Sequence, residues 1–166
     1  EVEADALVVA LKTRAVPPQD AVAESVAGVR ALRGRGVQRF FFKYCSTFDS
    51  TEQGNIGPVA GALLDELSAE QTILCPAFPR NGRTVYQGHL FVNEKLLNES
   101  GMERHPLNPM TDANLVRFLQ KQTEHRFGLL PYEDLADRML IAKRLGRLSD
   151  QRVRLVVADA CDDHHL

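Results

Sequence analysis

Short apolar runs that pass directly into polar, glycine-containing loops constrain the fold of this chain more than any other feature. Phe40-Phe41-Phe42 leads into a loop at residues 43–57, and Thr72-Ile73-Leu74 leads into a loop at residues 75–88. Strands buried on both faces read as short apolar runs of this kind. In an open α/β sheet, ligands bind beyond the carboxyl ends of such strands. The two loops therefore form the candidate binding region.

Strands and helices are predicted to alternate along the chain. Strands are predicted at residues 6–10, 40–44, 72–75 and 155–159, and helices after Pro17-Pro18, Gly57-Pro58, Thr111 or Asp112, and Pro131. A hairpin is predicted from the run at residues 85–92, a polar turn at residues 93–95 and Leu96-Leu97. The pattern indicates an α/β fold with a mainly parallel sheet flanked by helices and an inserted β-hairpin.

The composition is that of one ordinary domain with its own core. The 166 residues are 44% apolar and carry a net charge of -2, so nothing indicates a nucleic acid or an anionic membrane as partner. No apolar run reaches about 18 residues and no signal peptide is visible, which predicts a cytoplasmic protein. Because Glu1-Val2-Glu3 runs almost at once into a strand, and residues 161–166 follow another, we expect a part of a longer polypeptide.

The cysteines and the acidic, histidine-containing end give two further expectations. Cys45, Cys75 and Cys161 are odd in number and lack C-x-x-C spacing, which predicts reduced thiols rather than a disulfide framework or a zinc site. They fit small buried apolar residues better than reactive thiols. Neighbouring side chains rarely reach one ion, so no metal site is predicted at Asp162-Asp163-His164-His165.

The first loop carries the chemistry of a site for a small anionic ligand that is rich in oxygen. Lys43 supplies a positive charge, Ser46 and Thr47 supply hydroxyls, and Asp49 can accept a hydrogen bond from a ligand hydroxyl. Gly54-Asn55-Ile56-Gly57 leads into a helix whose free amides can hold an anion. Ser, Thr and Asp also form turns and helix caps, so a purely local structural role remains the alternative.

The second loop centres on an arginine that follows a glycine. Gly82 permits close backbone approach, and the planar fork of Arg83 matches a carboxylate or a phosphate. The alternative is a solvated surface arginine, which Arg80 fits better than Arg83 does. A third polar segment, residues 98–112, is either part of the site or a long loop that ends in a capped helix.

The motifs in these loops resemble, in order and over nearly the whole chain, the four-carbon acid sugar kinase family, and within it the 3-oxo-tetronate kinase branch. The motifs that carry the resemblance are Lys43-Tyr44-Cys45-Ser46-Thr47-Phe48-Asp49-Ser50-Thr51 with Gly54-Asn55-Ile56-Gly57-Pro58, Cys75-Pro76-Ala77-Phe78-Pro79 with Asn81-Gly82-Arg83-Thr84-Val85-Tyr86-Gln87-Gly88, and Leu97-Asn98-Glu99-Ser100-Gly101-Met102, His105-Pro106-Leu107 and Pro109-Met110-Thr111-Asp112.

The resemblance implies an enzyme that uses ATP to phosphorylate the terminal (4-) hydroxyl of a four-carbon acid sugar such as 3-oxo-tetronate. It implies two α/β domains, of which residues 1–166 are part of the N-terminal, acid-sugar-binding one and a C-terminal domain binds ATP and Mg. An Asp-Asp-Phe-Thr-Gly-type motif is expected before Glu1 and a glycine-rich ATP-binding region after Leu166. The 166 residues alone are therefore expected to be inactive, and the catalytic base is expected in the aspartate-rich motif.

The resemblance and the loop chemistry together give a set of substrate-binding residues. They are Lys12, Arg14, Lys43, Ser46, Thr47, Asp49, Gly82, Arg83 and Thr84. Lys12, Thr13 and Arg14 are implied to end the first strand beside the site. Arg83 and Lys43 are predicted to bind the substrate carboxylate, and the hydroxyl and carboxylate side chains to bind its hydroxyls and carbonyl. The alternative function is a non-catalytic module that binds a sugar acid as a sensor or effector.

Overall fold

Helices and strands alternate along the structure, a computed structural model that describes residues 4–166. The α-helices are α1 (Pro18–Arg33), α2 (Ile56–Glu66), α3 (Leu115–Gln120) and α4 (Arg138–Asp150). The strands are β1 (Thr72–Leu74), β2 (Arg83–Tyr86), β3 (His89–Val92), β4 (Lys95–Leu96), β5 (Phe127–Leu130) and β6 (Leu155–Ala158). Short 3₁₀ helices span Pro79–Asn81, Leu97–Glu99, Met102–Arg104, Tyr132–Ala136 and Asp163–His165. Glu1-Val2-Glu3 lies outside the described residues.

A parallel sheet with the strand order β1-β6-β5 forms the centre of the fold. Thr72 in β1 and Phe127 in β5 both lie opposite Leu155 in β6. All four residues of β6 are buried, as expected of a central parallel strand covered on both faces. In β5, a methyl group on Gly128 would come within 2.8 Å of Leu148 in α4. Glycine at this position therefore allows α4 to pack closely against the sheet.

An antiparallel sheet with the order β2-β3-β4 is attached to the carboxyl end of β6. Val85 and Ala160 exchange two backbone hydrogen bonds of 2.8 and 2.9 Å. The turn between β2 and β3 consists of Gln87 and Gly88, with φ angles of 50° and 71°, and two successive positive φ angles are typical of a tight hairpin turn. The run expected at residues 85–92 is thus two strands rather than one, because Gln87 and Gly88 reverse the chain within it.

The α/β fold, with its parallel sheet, flanking helices and inserted hairpin, is confirmed. Two helix starts and one strand differ from the sequence prediction. The last helix begins at Arg138, and Pro131 is followed by a 3₁₀ helix. The cap of α3 is Asn114, whose side chain accepts from the amide of Arg117, rather than Thr111 or Asp112. The sequence analysis also missed β5.

The strands expected at residues 6–10 and 40–44 are not formed, so this part of the prediction is wrong for the described structure. No backbone hydrogen bond joins either stretch to another residue within 4–166. Several of their apolar side chains are open to solvent, with Val8 93% and Phe41 88% exposed, whereas Phe42 and Tyr44 pack against the core. A strand is stable only with a neighbour that satisfies its backbone groups, and an apolar run alone cannot provide one.

Candidate functional site

A buried carboxylate joins three separate parts of the chain at one point, which we call the Asp49 cluster (Arg14, Asp49, His105 and Asn108). Asp49 is 8% exposed. Its Oδ2 accepts a hydrogen bond of 3.1 Å from Arg14 Nη1, and its Oδ1 accepts one of 2.8 Å from Asn108 Nδ2. His105 Nδ1 lies 3.7 Å from the same Oδ1. Both carboxylate oxygens are therefore used within the protein, so Asp49 holds Arg14 and the third loop together.

The backbone around Arg14 is fixed by a second buried polar side chain. Asn55, directly before α2, is 6% exposed. Its Nδ2 donates to the carbonyl oxygens of Thr13 at 2.7 Å and Val16 at 3.0 Å. The amide of Gly57 in the first turn of α2 donates to Gln122 Oε1 at 2.9 Å. That amide, which the sequence offered as an anion ligand, thus already has a partner in the protein.

Several positive charges line a large cavity. The cavity has a volume of about 2190 Å³, and Lys12, Arg14, Lys43 and Asp49 are among the residues that line it. The side chain of Arg14 is 60% exposed although one of its nitrogens is bound to Asp49. Among the described residues, Lys43 Nζ donates to the neighbouring carbonyl of Tyr44 alone, at 3.0 Å. Lys12, Arg14 and Lys43, which have few hydrogen-bond partners within residues 4–166, make the wall of this cavity suitable for an anion.

Ser46 and Thr47 are half-buried and do not line this cavity. Thr47 Oγ1 lies 3.2 Å from Cys45 Sγ. The next residue, Phe48, is fully buried with a φ angle of 55° and packs edge-on against Phe118. The buried ring and the left-handed backbone of Phe48 reverse the loop between Thr47 and Asp49. The assignment of Ser46 and Thr47 as ligand-binding residues therefore stays a prediction.

Gly82, Arg83 and Thr84 belong to the hairpin and do not line the cavity either. Gly82 has a φ angle of 68°, and a methyl group there would lie 2.1 Å from Asn93 Oδ1. Its conformation is thus required by the hairpin itself. Arg83 Nη1 donates to the carbonyl of Asn81, while its Nε is buried without a hydrogen-bond partner among the described residues. These three positions likewise stay predictions as ligand contacts.

Asp159 is a polar residue at a strand end that the sequence analysis missed. It is 1% exposed. Its Oδ2 accepts from the amides of Gln87 at 2.7 Å and Tyr132 at 2.8 Å, and its Oδ1 accepts from the amide of Gly88 at 2.8 Å. The side chain therefore anchors the hairpin turn and the segment after β5 to the end of β6. Its position directly after the run Leu155–Ala158 was the available signal.

Burial changes the pKa values of two thiols and of a neighbouring phenol. Cys45, Cys75 and Cys161 are all free. Burial raises the pKa of the Cys75 thiol and of the Tyr44 phenol, and burial with the nearby Asp159 carboxylate raises the pKa of Cys161. Higher pKa values reduce the thiolate fraction at neutral pH, so Cys75 and Cys161 are poor nucleophiles.

The structure contains neither a metal-binding cluster nor a membrane-spanning helix within the part of the chain it describes. No three His, Cys, Asp or Glu side chains converge between residues 4 and 166. Within residues 162–165, for which no metal site was predicted, His165 Nδ1 lies 2.9 Å from Asp162 Oδ1, which is a local pair. No helix in the same range combines the length and the apolar character needed to cross a membrane.

The whole chain, residues 1–166, matches the family model of the sugar-binding N-terminal domain. The chain belongs to this family. It is 58% identical to a 3-oxo-tetronate kinase of Cupriavidus necator and 57% identical to one of Burkholderia multivorans. Each match covers 99% of this chain but only 38% and 39% of the relative. The chain thus spans less than two fifths of the length of these curated relatives.

Solved structures of related proteins have the same fold. A Haemophilus influenzae protein matches with a TM-score of 0.95 and 44% identity, over 99% of this chain and 40% of that one. A Bordetella bronchiseptica protein, described as a domain-swapped dimer with bound citrate, matches with a TM-score of 0.71 and 28% identity, over 95% of this chain and 37% of that one. Both belong to what was described as a domain of unknown function.

Proposed function

We propose that these 166 residues are the acid-sugar-binding part of an ATP-dependent kinase that phosphorylates the terminal hydroxyl of a four-carbon acid such as 3-oxo-tetronate. The family is a sugar-binding one, and relatives at 58% and 57% identity are named 3-oxo-tetronate kinases. The citrate in the Bordetella bronchiseptica relative is a hydroxy acid, the chemical class proposed here as substrate.

The observation that carries the proposal is the way in which Arg14 is held. Arg14 Nη1 donates to Asp49, which Asn108 holds in place through its other oxygen, and Asn55 fixes the backbone at Thr13, directly before Arg14. An arginine fixed in this way presents its remaining N–H groups to a carboxylate at little entropic cost. Lys12 and Lys43 line the same cavity as Arg14 and add positive charge to it. We assign the substrate carboxylate to this position.

Asp49 has a positioning role in this proposal rather than contact with the substrate or a metal. Its oxygens already accept hydrogen bonds from Arg14 and Asn108, which leaves a poor Mg ligand. We therefore propose that Mg and ATP are bound by the part of the polypeptide outside these 166 residues. Kinase catalysis depends mainly on positioning and charge stabilisation, and the share of this domain is to orient the acid.

A coupled ATP assay of the intact protein against a panel of four-carbon acids tests the proposal. We expect Arg14→Ala to lower kcat/KM for the acid by about 10- to 150-fold, the equivalent of one lost charge-assisted hydrogen bond. Arg14→Lys should also be impaired because the planar fork is lost. The KM for ATP should change little. Arg80→Ala is the matched control, because Arg80 pairs with Asp163 at the surface.

The outcomes separate the alternatives. If kcat/KM for the acid in Arg14→Ala stays within twofold of wild type, Arg14 does not bind the substrate. Arg83→Ala is measured in parallel, since a loss of similar size there would place Arg83 at the carboxylate, as the sequence predicts. An intact protein that binds the acid without phosphorylating it would support the non-catalytic sensor or effector instead.

A further inference from the structure

Gln122, in the turn between α3 and β5, holds the first loop at two places. Its side-chain nitrogen Nε2 donates hydrogen bonds to Ser50 Oγ at 2.9 Å and to the carbonyl oxygen of Thr51 at 2.6 Å. Its Oε1 accepts a hydrogen bond of 2.9 Å from the amide of Gly57. Since a glutamine side chain offers one nitrogen and one oxygen for hydrogen bonds, both polar atoms of Gln122 are bonded to the loop.

The loop is shaped around this side chain. A methyl group on Gly54 would lie 2.9 Å from Gln122 Nε2, and one on Gly57 would lie 3.2 Å from Gln122 Cβ. Ser50 is 3% exposed, so water cannot easily replace its bond to Gln122. The bonded residues are 65 to 72 positions apart in sequence. Gln122 therefore fixes the first loop from a distant part of the chain.

The first contact supports the carboxylate that binds Arg14. Ser50 directly follows Asp49, and Asp49 Oδ2 accepts the hydrogen bond of 3.1 Å from Arg14 Nη1. Because Ser50 and Thr51 are bonded to Gln122, the backbone that carries Asp49 cannot shift without breaking these bonds. The direction in which Asp49 presents its carboxylate thus depends on Gln122.

The second contact supports the backbone directly before Arg14. Asn55 Nδ2 donates to the carbonyl oxygen of Thr13 at 2.7 Å. The Asn55 side chain makes no capping hydrogen bond to α2, although asparagine is a preferred capping residue at this position. Gln122 satisfies the amide of Gly57 in the first turn of α2 instead. The side chain of Asn55 is thereby left to hold the backbone beside Arg14.

We propose that Gln122 is a positioning residue for the substrate carboxylate, which acts on Arg14 through Asp49 and Asn55. Gln122 is half-buried and does not line the cavity, so it acts on the substrate through these residues and not by contact. By holding both supports of Arg14 in one arrangement, it lowers the entropic cost of binding the acid. The inference rests on the proposed function, because it requires Arg14 to bind the substrate.

The kinetic constants of Gln122→Met in the intact protein test the inference. Methionine is also unbranched but makes none of the three hydrogen bonds. We expect the KM for 3-oxo-tetronate in the coupled ATP assay to rise by about 5- to 10-fold, the equivalent of one neutral hydrogen bond. The KM for ATP and kcat at saturating acid should stay within twofold of wild type, because the lost interaction concerns binding of the acid.

Gln120→Met is the matched control. Gln120 Nε2 donates to the carbonyl oxygens of Thr123 at 3.2 Å and His125 at 2.9 Å, and its Oε1 accepts from the amide of Phe127 at 3.2 Å. Both substitutions remove three hydrogen bonds and should lower the urea midpoint, but those of Gln120 do not reach the first loop. A KM for the acid that rises equally in both variants would reflect a general loss of stability and would overturn the inference.

A double variant shows whether Gln122 acts through Arg14. If it does, adding Gln122→Met to Arg14→Ala should change the KM for the acid by less than twofold, because the side chain that Gln122 positions is already absent. If the two effects multiply instead, Gln122 acts independently of Arg14 and the inference is wrong.

The outcomes also separate this inference from the proposed function. A KM for the acid within twofold of wild type in Gln122→Met, beside an impaired Arg14→Ala, overturns the inference alone. An Arg14→Ala variant without effect overturns the carboxylate assignment and the inference with it. If Gln122→Met does not fold, Ser50→Ala decides, since it removes one of the three bonds: we expect a KM for the acid about threefold above wild type, and an unchanged KM overturns the inference.

Discussion

Removal of the Asp159 carboxylate is expected to destabilise the fold more than removal of any surface carboxylate. Its two oxygens accept three backbone N–H groups at 2.7–2.8 Å, from Gln87, Gly88 and Tyr132. Asp159 is 1% exposed and Gly88 is buried, so water cannot easily replace the lost acceptor. The hairpin turn and the segment after β5 both lose their attachment to β6.

The magnitude follows from the number and burial of these donors. A hydrogen bond to a charged group contributes about 1.5–3 kcal/mol, and a buried donor left unsatisfied costs about 1–3 kcal/mol. Because such terms are not additive, we expect Asp159→Ala to lower the free energy of unfolding by about 3–5 kcal/mol in the intact protein. Asp159→Asn keeps one acceptor oxygen but turns its amide NH2 group towards a backbone N–H donor, so we expect it to lower the free energy of unfolding by about 1–3 kcal/mol.

Urea denaturation at equilibrium, followed by circular dichroism, measures both losses. Asp163→Ala is the matched control, because Asp163 is 42% exposed in its side chain and pairs with Arg80 at the surface. Exposed pairs contribute at most about 1 kcal/mol. If Asp159→Ala were no more destabilising than this control, the three hydrogen bonds would not anchor the hairpin, and the argument from burial would be wrong.

Three further predictions concern packing, pH and thiol reactivity. Gly128→Ala should lower the free energy of unfolding by about 1–3 kcal/mol, because its methyl group would lie 2.8 Å from Leu148. An unchanged urea midpoint would contradict this. Desolvation favours the protonated form of Asp112, but hydrogen bonds from Arg117 and from the amide of Asn114 outweigh it, so the pKa of Asp112 is lowered. The stability that the ionised Asp112 contributes to the fold is therefore present above the unfolded pKa and is lost as pH falls through the folded pKa. Asp112→Asn should accordingly lower the free energy of unfolding at pH 7 but not near pH 2. Thiol titration after denaturation should find three free cysteines, with Cys75 and Cys161 slow to alkylate in the native state at pH 8; a count of one would contradict the first expectation.

The sequence predicted the layers of the fold because apolar periodicity is local. Thr72–Leu74 and Leu155–Ala158 are predicted as buried strands and both form strands, although only Leu155–Ala158 is buried throughout and Ile73 is 50% exposed. The strand Phe127–Leu130 escaped because Gly128 interrupts its apolar run, and the structure gives the reason in the approach of α4. The turn at Gln87 and Gly88 was not recognised within residues 85–92, because a single glycine inside a strand pattern more often indicates a bulge or a close backbone approach than a reversal.

The candidate site was predictable only in part, because its partners are distant in sequence. Lys12 and Arg14, named from the resemblance, and Lys43 and Asp49, named from the chemistry of the first loop, line one cavity. Asn108, which lies 59 positions after Asp49 and donates to it, has no local pattern that identifies it as a partner. The role of Asp49 therefore changes from a predicted ligand of the substrate to the support of Arg14.

The two predicted strands that are not formed show the limit of a pattern argument. Residues 6–10 and 40–44 carry the apolar pattern of buried strands, yet Val8 and Phe41 are almost fully exposed. An apolar pattern indicates the environment for which a segment is suited, whereas a strand also needs a neighbouring strand that satisfies its backbone groups. Neither stretch has such a neighbour among residues 4–166.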